Sequence, residues 1–197
     1  MSAIDDVAWK LLLTDARTHV SWTAQPVEDA LLRRLYDLLR MGPTALNCQP
    51  VRVVFVKSAE AKARLAPAVD EGNLEKMMTA PATAIIAFDT SFHEQLGTLV
   101  PHWPGAVQAI GALPAEVREG MARLSATLQA GYLITAARGL GLDCGPMGGF
   151  KSAVLDAAFF PDGKWKSLLL VNLGHGDGAK VRPRAPRLAF DEACRIE

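Results

Sequence analysis

Three side chains suited to binding an anion stand next to one another near the start of the chain. Arg17, Thr18 and His19 fall in a segment that has neither a helical nor a strand period. A planar guanidinium offers two parallel donors to a phosphate or carboxylate, and a hydroxyl beside it offers a third. The segment therefore favours an anion site, although an ordinary surface loop would use the same residues.

A second group of cations lies close to the C-terminus, where prolines separate the charged residues and keep the backbone extended. Such a tail either completes a phosphate site or is a solvated basic end. Its cations are Lys180, Arg182, Arg184 and Arg187.

Uncharged polar side chains occur at two further places. The stretch 43–50, PTALNCQP, places Thr44 and Asn47 between two prolines, which predicts a stiff loop rich in hydrogen-bonding groups. Asn73 and Lys76 share a face of the short helix predicted from residue 72, with Asn73 as its N-cap. Amide and hydroxyl groups can recognise the edge of a heterocycle without adding charge, and they can equally cap helices and form turns.

The glycine-rich segment 144–150, CGPMGGF, follows the most apolar stretch of the chain. Residues 124–140 are apolar or small on almost every helical face, which is typical of a helix buried in a core or between two subunits. The glycines after it allow a backbone to approach a flat ligand closely and to present N–H groups to it. A plain helix and its turn would account for the same residues.

The elements that would position these residues alternate between helices and buried strands. This order indicates a sheet covered by helices on both faces, in a single domain over residues 1–197. Residues 89–115 lack a period and predict an irregular, lid-like insertion, in which His102 and Trp103 could line a substrate pocket. Helices are predicted over residues 5–13, 27–41, 59–69, 124–140 and 151–160, and strands over 51–57, 82–88 and 166–174.

The composition excludes several function classes. The 21 basic and 21 acidic residues balance, so no broad polyanion-binding surface is expected and nucleic acid is not a predicted partner. The 3 cysteines form no CxxC pair and the 4 histidines lack metal-ligand spacing, which argues against a metal site. P-loop, dinucleotide-binding and serine-hydrolase motifs are absent from the sequence. We expect a cytoplasmic protein that does not cross a membrane, and the 50% hydrophobic content favours an oligomer.

The remaining pattern suits a ligand with one phosphate and one flat heteroaromatic ring, which describes FMN. In order and spacing, the motifs resemble the FMN-dependent nitroreductase family along essentially the whole chain. Within that family the chain is most similar to the malonic semialdehyde reductases of bacterial pyrimidine degradation, through DARTH, GNLEK and the closing PRLAFDEAC. The stretches that carry the family resemblance are Arg17-Thr18, PTALNCQP at 43–50, GNLEKM at 72–77, GLDCGPMGGF at 141–150 and RPRAP at 182–186.

The resemblance implies an α+β fold, a three-layer α/β/α sandwich with a central, mainly antiparallel sheet. It also implies an entwined homodimer with two FMN sites at the subunit interface. Val20 departs from the family pattern, since many members have a second basic residue there, and many have an acidic residue near Gly148. The implied FMN-binding residues are Arg17, Thr18, His19, Asn73, Lys76, Pro146, Met147, Gly148, Gly149, Lys180, Arg182 and Arg184 of one chain, with Pro43, Thr44, Ala45 and Asn47 of its partner.

The implied activity is ping-pong turnover, in which NADPH or NADH reduces FMN and leaves before an acceptor binds over the same face. With malonic semialdehyde the product would be 3-hydroxypropionate. The substrate carboxylate needs a cation or N–H donors, and the developing alkoxide needs a proton donor. His102 is a candidate for one of these roles, and no other side chain is predicted as an acid or base. The alternatives are a broad nitroaromatic or quinone reductase and a flavin-binding sensor or scaffold without turnover.

Overall fold

A four-stranded antiparallel sheet forms the centre of the computed structural model, which describes residues 3–197. Its strands are β1 (Val51–Val56), β2 (Ala82–Asp89), β3 (Asp143–Met147) and β4 (Trp165–Gly174). The strand order is β1-β2-β4-β3, so β2 and β4 are central. β2 is buried at every position, which explains why its sequence is apolar without alternation.

The helices lie on both sides of this sheet. They are α1 (Asp6–Trp9), α2 (Asp29–Leu39), α3 (Ala59–Leu65), α4 (Glu71–Thr79), α5 (Leu96–Leu99), α6 (Ala106–Gly111), α7 (Ala115–Gly139), α8 (Ser152–Phe159) and α9 (Phe190–Ala193). A π-helical turn, Lys10–Thr14, extends α1. Over the described residues, none of these helices combines the length and the apolarity needed to cross a membrane.

Alternate residues of β2 belong to two separate cores. Ile86 packs in a core with Leu35 of α2 and Leu133 of α7. Ile85 packs in a second core with Leu65 of α3, which also includes buried residues of α4 and α8. Because successive strand residues point to opposite faces of a sheet, the two cores lie on opposite sides. The arrangement is the three-layer α+β sandwich that the sequence predicted.

The structure differs from the prediction around α7. The helix begins at Ala115, well before residue 124. Leu124 and Leu128 are exposed in the single chain, so of the two predicted surroundings the core does not cover them, and the subunit interface stays a prediction. The segment 89–115, predicted as irregular, contains a 3₁₀ turn and the short helices α5 and α6. The first part of the predicted glycine loop is instead β3, which pairs with β4. An edge strand of this kind tolerates the proline and glycine that obscured it in the sequence.

Burial makes two of the three thiols unreactive. Cys48 and Cys144 are buried, whereas Cys194 is exposed. Burial raises the pKa of Cys144 to about 12 and raises the pKa of Cys48 as well. Because the thiolate is the nucleophile, we expect the native protein at about pH 8 to react rapidly with a disulfide reagent at Cys194 only. Thiol titration before and after denaturation checks this, and a second rapidly reacting thiol in the native protein would contradict it.

Candidate functional site

Two segments that are far apart in sequence run side by side in opposite directions. Residues 15–23 precede α2 and residues 175–184 follow β4, and an antiparallel bridge joins Trp22 to Gly176. We call this pair of segments the ribbon. Because the sequence predicted anion-binding cations in both segments, the ribbon brings together the two halves of the predicted anion site.

One end of the ribbon holds arginines from both segments. The Arg17 guanidinium donates to the Arg182 carbonyl, and Arg184 Nη2 donates to the Ala16 carbonyl at 3.0 Å. These partners are neutral, and no carboxylate within residues 3–197 forms an ion pair with Arg17, Arg182 or Arg184. The positive charge at this end is therefore available to an anion.

A cavity of about 410 Å³ opens beside Arg17, and 5 of its 10 lining residues have a charged side chain. Lys10, Arg17 and Arg138 contribute positive charge to it, and Asp15 and Asp143 contribute negative charge. The cations outnumber the carboxylates, which suits an anionic ligand.

The other predicted phosphate ligands differ in their exposure. Thr18 is exposed and forms a bridge to Cys144, on the edge of β3 that faces away from β4. His19 is buried, and its Nε2 lies 3.3 Å from Asp143 Oδ1. Lys180 is exposed, and its Nζ lies 3.9 Å from a carboxylate of the same turn. All three belong to the ribbon, but they are not equally open to a ligand.

A second cluster joins α4 to the segment that follows β3. Lys76 Nζ donates to Asn73 Oδ1 at 3.0 Å, and Asn73 Nδ2 donates to the Gly149 carbonyl at 3.2 Å. The N-cap of α4 is Asp70 rather than Asn73, because the helix begins at Glu71 and places Asn73 inside its first turn. A β-carbon on Gly149 would lie 2.6 Å from Asn73 Nδ2, so a side chain at this position would displace the Asn73 amide from the Gly149 carbonyl.

Trp22 connects the ribbon to the α4 cluster. Its indole Nε1 donates to the Lys76 carbonyl at 3.2 Å. The same ring would lie 3.2 Å from a β-carbon on Gly145, so the absence of a side chain there lets the ribbon pack closely against β3. The cationic end and the amide end of the candidate site are therefore parts of one connected structure.

The backbone between β3 and α8 offers unused hydrogen-bond donors. Within the described part of the chain, neither the Gly148 amide nor the Gly149 amide donates to another protein group, and a β-carbon on Gly148 would meet nothing within 4 Å. Pro146 and Met147 lead into this stretch as the last residues of β3. Free N–H groups beside the α4 cluster suit the polar edge of a flat ring. Together with the ribbon cations, they fit a ligand that carries a phosphate at one end and a heteroaromatic ring at the other.

The polar loop 43–50 lies outside both clusters in the single chain. The Tyr132 hydroxyl of α7 donates a hydrogen bond to the Pro43 carbonyl at 3.0 Å and so holds the loop against α7. Asn47 has a φ of 49°, which is a costly backbone conformation that persists where the surroundings enforce it. Its side chain donates to the Leu99 carbonyl at 3.0 Å rather than to either cluster. The role of this loop in a partner's site stays a prediction.

His102 and Trp103 lie in the exposed turn between α5 and α6. In residues 3–197 no hydrogen bond joins either side chain to the ribbon or to α4, so their roles at a substrate pocket also stay predictions. Among the same residues, no group of three or more His, Cys, Asp and Glu side chains is placed to hold a metal ion.

Three residues that hold the site together were missed from the sequence. They are Trp22, Asp70 and Asp143, and each acts through a contact with a segment remote in sequence. The only signal was their position. Trp22 follows the Arg17 motif, Asp143 lies within GLDCGPMGGF, and Asp70 stands two residues before GNLEKM.

Comparison with known proteins finds relatives over nearly the whole chain. A family model described as "Nitroreductase family" matches residues 15–175. A protein of Leptothrix cholodnii named "Putative NADH dehydrogenase/NAD(P)H nitroreductase" is 51% identical over 194 residues, which cover 98% of each chain. A protein of the same name from Stutzerimonas stutzeri is 53% identical over 191 residues, which cover 97% of this chain and 96% of the other.

The fold has counterparts among solved structures. One from Exiguobacterium sibiricum, described as a "putative nitroreductase in complex with FMN", aligns with a TM-score of 0.86 over 100% of this chain and 99% of the other, at 20% identity. At that identity the likeness concerns the fold, and it confirms the α+β sandwich expected from the sequence.

Proposed function

The chain belongs to the nitroreductase family, and we propose that it is an oxidoreductase that binds FMN and oxidises NADPH or NADH. The observation that carries this proposal is the link from the ribbon cations through Trp22 to the Asn73–Lys76 pair. One end of this structure suits a phosphate and the other suits a flat ring. The names of the relatives support the choice of reductant, and the FMN of the Exiguobacterium structure supports the choice of cofactor.

Different residues of the site would bind different parts of FMN. Arg17 and Arg184 would bind the phosphate, with Thr18, Lys180 and Arg182 nearby. The α4 amide and ammonium would face the pyrimidine edge, and the Gly148 and Gly149 amides would donate to the ring. When bound, FMN supplies the hydride chemistry. An ammonium group held at the pyrimidine edge favours the negative charge that develops there.

We further propose that two copies of the chain form the active protein. Leu124 and Leu128 are 64% and 45% exposed, and they share a face of α7 with Tyr132, which holds the loop 43–50. An apolar face of this kind beside a strained polar loop suits a second copy. Pro43, Thr44, Ala45 and Asn47 would then reach the flavin of the partner.

Substitution of Leu128 tests this assembly. We expect Leu128→Asp to raise the dimer dissociation constant by about 10²-fold or more, because an unpaired carboxylate in an apolar interface costs several kcal/mol. Light scattering after size-exclusion chromatography measures the mass. Val154→Asp is the matched control, since Val154 is similarly exposed but lies on α8, across the sheet. A Leu128→Asp protein that keeps the wild-type mass and its FMN would contradict the proposed interface.

The acceptor that we propose is malonic semialdehyde, reduced to 3-hydroxypropionate in a cytoplasmic step of pyrimidine degradation. The support for it is the resemblance of DARTH, GNLEK and PRLAFDEAC to that subgroup. His102 remains a candidate for binding the carboxylate or for protonating the alkoxide. The names of the relatives favour nitroaromatics as the alternative acceptors, and quinones are included because an open flavin face accepts other flat molecules.

Steady-state NADPH and NADH consumption with each acceptor tests the proposal. A kcat/KM for malonic semialdehyde well above that for nitrofurazone or a quinone would support the aldehyde reductase. The reverse order would replace it with a broad flavin reductase. Flavin binding without turnover of any acceptor would instead favour a sensor or scaffold.

A further inference from the structure

Asp143 contacts both segments of the ribbon. Its Oδ1 lies 3.3 Å from His19 Nε2 in the first segment, and its Oδ2 accepts a 2.8 Å hydrogen bond from the Gly176 amide in the second segment. Asp143 is the first residue of β3, and its pairing with Gly174 of β4 fixes its backbone. A single carboxylate on a paired strand therefore holds both segments in place.

His19 is enclosed by this arrangement. The residue is 8% exposed, and its Nδ1 is buried without a hydrogen-bond partner among residues 3–197. A β-carbon on Gly176 would lie 1.8 Å from that Nδ1, so the ring lies directly against the second segment. His19 lines the same cavity as Arg17, but its Nε2 faces Asp143 and its Nδ1 faces Gly176, so both ring nitrogens are directed at the protein.

We propose that Asp143 and His19 are a positioning pair, which sets the spacing of Arg17 and Arg184 for the FMN phosphate without contacting that phosphate. The inference rests on the proposed function. His19, which the family resemblance implies as a direct ligand, acts through the ribbon instead. The Arg17 and Arg184 guanidinium groups are each bonded to the opposite segment, so their separation depends on how the two segments are held.

Electrostatics and positioning predict opposite effects for the loss of the Asp143 charge. Asp143 lines the same cavity as Arg17, and a carboxylate near a phosphate repels it, so neutralising that charge alone would tighten FMN binding. Loss of the contacts to His19 and Gly176 would weaken FMN binding, because Arg17 and Arg184 would no longer be held at a fixed separation. The sign of the change therefore distinguishes the two roles.

Titration of the flavin-free protein with FMN and with riboflavin measures this sign. Riboflavin has the same ring and ribityl chain but lacks the phosphate. We expect Asp143→Ala, which removes the charge together with the contacts to His19 and to the Gly176 amide, to weaken FMN binding by about tenfold or more, the scale for losing a hydrogen bond to a charged group. Riboflavin affinity should stay at the wild-type value, so the preference for FMN over riboflavin falls by the same factor.

Asp15→Ala is the matched control. It removes one carboxylate from the same cavity, but within the described residues the Asp15 side chain forms no hydrogen bond or ion pair. We expect this variant to leave FMN affinity unchanged or to increase it. At His19, a glutamine can still donate to Asp143, so His19→Gln should keep most of the FMN preference that His19→Leu loses.

Three results would overturn the positioning role. They are unchanged or tighter FMN binding in Asp143→Ala, an equal loss of riboflavin binding, and the same FMN preference in His19→Leu as in the wild type. If the wild-type protein binds neither FMN nor riboflavin, the proposed function is refuted as well. If the wild-type protein binds FMN and the substitutions of Asp143 and His19 do not change that binding, only the positioning role is refuted.

Discussion

Replacement of Gly149 by alanine is expected to weaken FMN binding by about 10- to 100-fold, the usual effect of losing one or two polar contacts with a ligand. A β-carbon there would lie 2.6 Å from Asn73 Nδ2 and 2.9 Å from Asp70 Oδ2. Asn73 must therefore rotate away from the Gly149 carbonyl, and Lys76 loses its partner on α4. Fluorescence titration of the flavin-free protein with FMN measures the change.

Gly148 provides the control for folding at the neighbouring position. A β-carbon on Gly148 would meet nothing within 4 Å, and its φ lies outside the left-handed region. We expect Gly148→Ala to keep the thermal unfolding temperature of the flavin-free protein, whereas Gly149→Ala lowers it by a few degrees. Wild-type FMN affinity in Gly149→Ala would contradict the placement of the ring beside Asn73.

The second large effect is expected at Lys76. We predict that Lys76→Met slows flavin reduction by NADPH about 10²-fold, the scale for removing one group that stabilises developing charge. The ammonium is half-buried and donates to Asn73 Oδ1 at 3.0 Å. Trp22 bonds to the Lys76 carbonyl rather than to the ammonium, so the link between the ribbon and α4 survives the substitution. Anaerobic stopped-flow absorbance measures the rate.

Two variants separate charge from the other effects of this substitution. Lys76→Arg keeps a cation at the position and should recover most of the rate. Lys151→Met removes an exposed lysine that follows the glycine segment and forms no side-chain hydrogen bond within the described residues, and it should reduce flavin at the wild-type rate. A wild-type rate in Lys76→Met would exclude an electrostatic role for the ammonium.

The parts of the fold with a strong local signal were predictable from the sequence. The apolar run of β2 and the helical spacing of α2 need no knowledge of the rest of the chain, and both elements lie where they were expected. α5 and α6 span only 4 and 6 residues, which is too short for a helical period to stand out. β3 contains Gly145 and Pro146, which strands disfavour, and it is extended because β4 pairs with it.

The sequence predicted which residues belong to the candidate site, but it did not predict the contacts that bring them together. Arg17, Asn73 and Lys76 were identified because guanidinium, amide and ammonium groups suit phosphate and ring edges. Their assembly depends on the pairing of the ribbon, which joins segments more than 150 residues apart and leaves no local pattern. Asp143 and Trp22 were missed for the same reason, since each bonds to a remote backbone group.

The central claim is that the ribbon and the α4 cluster bind an FMN that accepts electrons from a nicotinamide. The visible absorption spectrum of the protein tests it most directly, recorded after FMN addition and desalting and again after anaerobic addition of NADPH, then NADH. We predict a retained yellow chromophore that bleaches with at least one nicotinamide. A colourless protein after desalting, or a bound flavin that stays oxidised with both nicotinamides, would contradict the claim.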